Sequence, residues 1–232
     1  MSLHEGHRQR LTERFRREGL DGFTDVQILE LLLFFCIPRR DTNIIAHALL
    51  ARFGSLHQVL EAPVYELEKV EGIGRHASTL ISLTRQLARS YGVSQVSMDK
   101  ILNTTAKCGE YLKPFFLGKR DETVYLLCLD AKCKVLGCME VGKGSVNSAG
   151  LSVRKIVETA LAVNATSVVL SHNHPSGLAL PSNQDVITTR RVAMALDAVG
   201  IVMADHIIVA DDDFVSLAES GLYRPEECCV PL

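Results

Sequence analysis

The residues of this sequence best suited to chemistry lie together at positions 171–185, Ser-His-Asn-His-Pro-Ser-Gly-Leu-Ala-Leu-Pro-Ser-Asn-Gln-Asp. His172 and His174 are two positions apart and follow the apolar run Ser167-Val168-Val169-Leu170. In extended backbone alternate side chains leave on the same side, so both imidazoles can face one point. Pro175 and Gly177 then turn the chain, and Pro181-Ser182 restarts it as a helix. Asp185 falls in the first turn of that helix, where it can reach back toward the strand end. Two imidazoles and one carboxylate leave a fourth tetrahedral position open, an arrangement that zinc accepts with water in that place. Such water has its pKa lowered to about 7, which makes a nucleophile available at neutral pH. Ser182-x-x-Asp185 is by itself also an N-cap signature, with Ser182 capping and Asp185 complementing the helix dipole. Capping needs alone do not account for His-x-His-Pro at the end of the strand before it.

An apolar strand, a turn and a helix must position that set, and the neighbouring pattern supplies their surroundings. Thr123-Val124-Tyr125-Leu126-Leu127-Cys128-Leu129 is strand-like, and a polar turn at Asp130-Ala131-Lys132 leads to a second strand through Val135 to Val141. Residues 152–163 form an amphipathic helix with Ile156, Val157, Ala160 and Leu161 on one face. A helix from Asn183 to Val199 ends at Gly200, and Ile201 to Val209 is another strand. This alternation implies a sheet covered by helices. The first ninety or so residues, by contrast, read as helical throughout. Val26 to Phe35 is apolar on nearly every face, which predicts a central helix ended by Pro38. Residues 41–53 repeat the helical pattern with Gly54 as the stop. Leu67, Val70, Gly72, Ile73, Gly74 and Ala77 form a helix–Gly-x-Gly–helix pattern leading into Leu80, Leu83 and Leu87. Between Gly92 and Asp99 periodicity fades, which marks a linker. The expected fold is α/β: an all-α N-terminal domain over residues 1–92, then a mixed-sheet domain with flanking helices over residues 100–228.

With 232 residues the chain can bury a core in each of two domains. Its 47% hydrophobic and 22% charged residues are the balance of an ordinary globular protein. A formal net charge of −2 gives no global pull toward nucleic acid or an anionic membrane. Locally, Arg8, Arg10, Arg14, Arg16 and Arg17 outnumber Glu5 and Glu13, which reads as a solvated basic helix face. The polar N-terminus lacks the apolar core of a secretory peptide. The longest apolar run, around Ile28 to Ile37, contains Glu30 and is too short to span a bilayer. A cytoplasmic protein without a membrane partner is expected. Seven cysteines, an odd number without a signal peptide, read as reduced thiols. Cys128, Cys133 and Cys138 lack a Cys-x-x-Cys pair and read as small apolar residues on a hairpin. Cys228 and Cys229 read as exposed thiols in a tail.

His172-x-His174-Pro175, six residues, Ser182, two residues and Asp185 match without a gap the JAMM motif of JAB/MPN-domain metalloproteases. The Ser-His-Asn-His-Pro-Ser-Gly wording, Asp205-His206 and Gly6-His7-Arg8 resemble bacterial RadC proteins, from His4 to Tyr223. The resemblance implies an MPN fold for the second domain, with Zn2+ held by His172, His174 and Asp185. It implies hydrolysis of a peptide or isopeptide amide in a protein or peptide substrate, with Ser182 supporting the oxyanion and an upstream glutamate as general base. Spacing alone leaves Glu122, Glu140 and Glu158 open. The family pattern of a glutamate directly before an apolar strand selects Glu122, which precedes Thr123-Val124-Tyr125-Leu126-Leu127. Such a carboxylate takes a proton from the attacking water and returns it to the leaving amine. One departure stands out: where RadC relatives often open a helix with Pro-Arg-Glu, this chain has Val153-Arg154-Lys155, so Lys155 replaces an acidic residue. His206 reads as a packed strand residue and is left outside the site.

The Val70-Glu71-Gly72-Ile73-Gly74-Arg75-His76-Ala77 segment resembles a helix-hairpin-helix. Its glycines let the turn expose backbone N–H groups at the next helix start, a natural phosphate site. Glu71 and the near-neutral local charge weaken that reading. A DNA-associated protein, related to repair or recombination and binding through its helical domain, is the alternative function. A zinc nucleobase deaminase would need His-x-Glu and Pro-Cys-x-x-Cys, and neither occurs near His172.

Overall fold

The structure, a computed structural model, describes residues 3–94, 100–144 and 152–225, so most of the expected linker and both Cys228 and Cys229 lie outside the described residues. The chain divides into two compact units, Met1–Ala88 and Arg89–Leu232. Among the described residues no helix is long and apolar enough to cross a membrane.

The first unit is helical: α1 (Leu3–Glu18), α2 (Asp25–Phe34), α3 (Thr42–Phe53), α4 (Leu56–Glu61), α5 (Val64–Leu67) and the opening of α6 (Arg75–Ser94). Polar caps start three of these helices. Thr24 and Gln27 form a capping box on α2, Asp41 accepts from Asn43 N, and Ser55 accepts from Gln58 N. Leu29, Leu33, Leu49, Val59, Leu67 and Ile81 close the core. α2 departs from expectation: it stops at Phe34, before Pro38, because the N–H groups of Cys36 and Ile37 turn back onto Leu33 O. Phe35, 78% exposed, is therefore not part of a helix buried on all sides. The Gly6-His7-Arg8 segment docks α1. His7 Nε2 lies 2.9 Å from the buried Glu30 carboxylate, and Arg8 donates to Ile37 O and Arg40 O, both at 2.7 Å. Gly72, between α5 and α6, has φ +91°, and a Cβ there would meet Ile45 at 2.7 Å, so both backbone and space demand glycine.

The second unit contains α7 (Thr105–Phe116), β1 (Thr123–Leu129), β2 (Val135–Lys143), α8 (Val153–Ala162), β3 (Ser167–Asn173), α9 (Asn183–Asp197), β4 (Val202–Ala210) and β5 (Asp213–Ser216). The five strands lie in the order β2-β1-β3-β4-β5. β3 and β4 are parallel, joined across by α9, while the other neighbours are antiparallel. It is a mixed α/β architecture in which alternation along the strands feeds two cores. Val124, Leu126, Val168, Leu170 and Ile208 pack against Ile156 and Ala160 of α8 and Val192 and Leu196 of α9. Tyr125, Leu127, Leu129, Val169, Ile207 and Val209 pack the other face against Tyr111, Leu112 and Phe116 of α7. Every residue of β1 is buried as a result. Cys128 and Cys138 are free thiols on the β1–β2 hairpin, and burial pushes Cys128 up to about 12.

Candidate metal centre

β3 is an inner strand, and its pairing extends past the apolar run that signals it. His172 stands opposite Val124 of β1 and Ile208 of β4, so its backbone is held from both sides. Alternation directs its side chain to the face covered by α9, where it is fully buried. His174 lies one residue beyond the strand, with its N–H bonded to Val209 O at 2.9 Å. Asp185 enters from the first turn of α9. Ser182, the N-cap, and Asp185 form a capping box in which Ser182 N (2.7 Å) and Ser182 Oγ (2.6 Å) both donate to Asp185 Oδ2. Oδ1 is left facing His172.

The three side chains converge. His172 Nε2 is 3.0 Å from His174 Nε2 and 3.4 Å from Asp185 Oδ1, and His174 Nε2 is 3.8 Å from Asp185 Oδ2. Bonds of about 2.1 Å at tetrahedral angles separate donor atoms by about 3.4 Å, so a group spaced like this one could hold a metal ion. The proton positions point the same way. Thr189 Oγ donates to Asp185 O at 2.5 Å, so the 2.6 Å contact between Thr189 Oγ1 and His206 Nδ1 must be donated by the imidazole. A neutral His206 then offers only a lone pair at Nε2, to which His172 Nδ1 donates at 2.8 Å. His174 Nδ1 donates to Leu178 O at 3.0 Å. Both Nε2 atoms therefore carry lone pairs directed at each other, a repulsive arrangement that a cation between them relieves.

Burial keeps His172 and His206 neutral. Desolvation pulls His172 down to about 4, opposed by the Asp185 carboxylate and assisted by His174. His206, buried by β4 and α9, is pushed well below its ordinary value for the same reason, with His172 and His174 adding to it. His206 was expected outside the site, but it touches His172. The signal that could have revealed it is its position in β4, one residue beyond Asp205 and paired with Leu170, on the strand beside His172. Thr189 carried no sequence signal beyond standing one helical turn after Asp185.

The three glutamates left open by spacing separate clearly. Glu122 Oε1 lies 3.8 Å from His172 Nε2. Glu140 pairs with Tyr125, whose side chain belongs to the α7 face, and it accepts from Lys119 at 3.0 Å. Glu158 is an exposed partner of Arg154 on α8. Ser182 is held against Asp185, so its hydroxyl proton is committed to that carboxylate. Lys155 is exposed in the first turn of α8, where its N–H meets the Ser152 cap.

Residues 102–222 match the RadC-like JAB domain family. A UPF0758 protein of Fusobacterium nucleatum is 32% identical over 225 residues, covering 94% of this chain and 97% of that protein. A UPF0758 protein of Ruegeria pomeroyi is 32% identical over 215 residues, covering 93% and 96%. The matched span holds α7, the whole sheet, both helices over it and the histidine–aspartate cluster, and on these grounds the chain belongs to the RadC-like JAB domain family.

Proposed function

We propose that this protein is a zinc-dependent hydrolase of the JAMM type, cleaving a peptide or isopeptide amide in a protein substrate. The observation that carries the reading is the convergence of two imidazole lone pairs and one carboxylate oxygen within bonding reach of a single point. His172 Nε2, His174 Nε2 and Asp185 Oδ1 would hold the ion. Zinc, when bound, supplies Lewis acidity and water of lowered pKa, about 7. His206 and the Leu178 carbonyl keep the two imidazoles in the metal-binding tautomer, and Ser182 keeps Asp185 turned inward. Glu122, beside the open corner, would accept a proton from the attacking water at its carboxylate and return it to the leaving amine. The Ser182 hydroxyl, released from Asp185 as substrate enters, supports the carbonyl oxygen.

The test uses the zinc-loaded chain and a proteome-derived peptide library, with new amino termini read by mass spectrometry. Cleavage by the wild type that vanishes in His172→Ala and falls about 100-fold or more in Glu122→Gln is expected. Identical cleavage profiles for all three proteins would refute the reading.

A second reading, association with DNA through the helical unit, is favoured by one feature. A cavity of 710 Å³ is lined by Arg39, Arg40, Arg75 and His76 together with the Gly72 and Gly74 turn, and among the described residues no carboxylate lines it. Phosphate contacts there would make oligonucleotide binding by the full chain fall steeply with salt, with a slope reduced by about one for each arginine removed. Salt-independent or absent binding removes this reading.

A further inference from the structure

We infer that Asn173, the residue between the two histidines, is the positioning residue for Glu122, an inference that rests on the hydrolase reading above. Asn173 is 5% exposed, and one position on from His172 its side chain leaves on the other side of the strand. Backbone pairing between β1 and β3 ends at Val124 opposite His172. Beyond that rung the Asn173 carboxamide takes over. Its Oδ1 accepts from Thr123 N at 2.8 Å, and its Nδ2 donates to Asp121 O at 3.3 Å and Lys119 O at 3.4 Å.

The clamped groups flank Glu122 directly, with the Asp121 carbonyl before it and the Thr123 N–H after it. Gly144 N adds a bond to Glu122 O at 2.7 Å. The carboxylate that stands 3.8 Å from His172 Nε2 is thus carried on a residue held on the β2 side by Gly144 and on the β3 side, where backbone pairing has ended, by the buried Asn173 carboxamide. One residue pair, His172-Asn173, therefore sets both a proposed metal ligand and the proposed base, so their separation is fixed at the strand end. The site demands a carboxamide. One planar head must accept from an N–H and donate to two carbonyls, and only one flip of the amide does this. Aspartate would face Asp121 O and Lys119 O with a second acceptor, and alanine would leave all three groups without that partner.

The experiment compares wild type, Glu122→Gln, Asn173→Ala, Asn173→Asp and the Glu122→Gln/Asn173→Ala pair in the full chain. Cobalt(II) is the probe, and the pH midpoint of its visible spectrum is the readout. Removing the nearby carboxylate lowers that midpoint by about one pH unit. Asn173→Ala is expected to lower it by a similar amount with cobalt stoichiometry intact, Asn173→Asp by less because it adds a carboxylate of its own, and the double variant no further than Glu122→Gln alone. Hydrogen exchange of the metal-free proteins should show protection lost over residues 119–124 and kept in β3 and β4. A wild-type midpoint in Asn173→Ala, or additive shifts in the double variant, overturns the positioning role while leaving the hydrolase reading intact. Loss of protection throughout the sheet in both Asn173 variants makes the residue a general fold determinant and also overturns it. Cobalt uptake without a shift in Glu122→Gln overturns the base assignment, and absence of uptake overturns the metal reading. Either result takes this inference with it.

Discussion

His206 Nε2 and His172 Nδ1 meet at 2.8 Å across the parallel strands β3 and β4, and this contact decides which lone pair His172 turns toward Asp185. Behind His206, Thr189 closes the chain by donating to the carbonyl of Asp185 itself. Two of the proposed ligands are thereby joined through a buried path of three side chains. Such partners hold a ring in one tautomer and raise its basicity as a ligand.

Thr189→Val keeps the side-chain shape but removes the acceptor for His206 Nδ1. Leaving a buried donor unpaired costs about 1–3 kcal/mol, and loss of a ligand's orienting partner weakens metal binding about 10–100-fold. Chemical denaturation of the metal-free chain and zinc competition with a chromophoric chelator measure the two effects separately. A variant unchanged in both would contradict the path.

Ser182→Ala removes an N-cap and one of two donors to Asp185 Oδ2. The cap is worth about 1 kcal/mol of stability, and a loosened ligand weakens zinc by about tenfold or more. Asp185→Asn, by contrast, should remove stoichiometric zinc, because it replaces the anionic ligand. The thermal midpoint and metal content of both variants distinguish capping from ligation.

Acid should unfold the metal-free chain early. His172 lies at about 4 in the folded chain against an ordinary 6.5, and His206 is shifted the same way. Above 6.5 both rings are neutral whether folded or not, so their contribution is fully present. As pH falls toward 4 the unfolded chain takes up protons that the folded chain refuses. Stability then drops by about 1.4 kcal/mol per pH unit for each withheld proton. Asp205, raised by burial, works in the opposite direction at the acid end of that window. Denaturant midpoints across pH 7 to 4 in the presence of a chelator should fall more steeply for wild type than for His206→Phe, and equal slopes would contradict this.

Gly109 lies on α7 where the helix meets β5, and a Cβ there would fall inside the van der Waals envelope of the Phe214 ring. Alanine would ordinarily stabilise a helix interior by about 1 kcal/mol. Overpacking of about 1–3 kcal/mol should outweigh that gain, so Gly109→Ala lowers the thermal midpoint and Gly109→Ala/Phe214→Leu regains it. A more stable single variant would show that α7 and β5 are not in close contact.

The part of the site that was legible in the sequence is the part that is local. His172, His174, Ser182 and Asp185 fall within one strand–turn–helix unit, so their spacing carries their geometry. Glu122 is far from them along the chain, and spacing could not separate it from Glu140 and Glu158. Strand order does, by turning Glu140 to the α7 face with Tyr125. His206, Thr189 and Asn173 were hidden because their meaning lies in hydrogen bonds to partners 17 to 54 positions away. α7 carries Cys108, Tyr111, Leu112 and Phe116 at helical spacing, but Gly109 and Pro114 inside it read as breaks, and β5 has only four residues. α2 ended early because backbone turns, not Pro38, stop it.

The most direct test is a zinc-edge anomalous difference map from crystals of the wild-type chain grown with zinc. The account predicts one strong peak within about 2.2 Å of His172 Nε2, His174 Nε2 and Asp185 Oδ1 together, with a fourth position turned toward Glu122. A map with no peak among those three atoms, at full zinc saturation of the crystal, would contradict it.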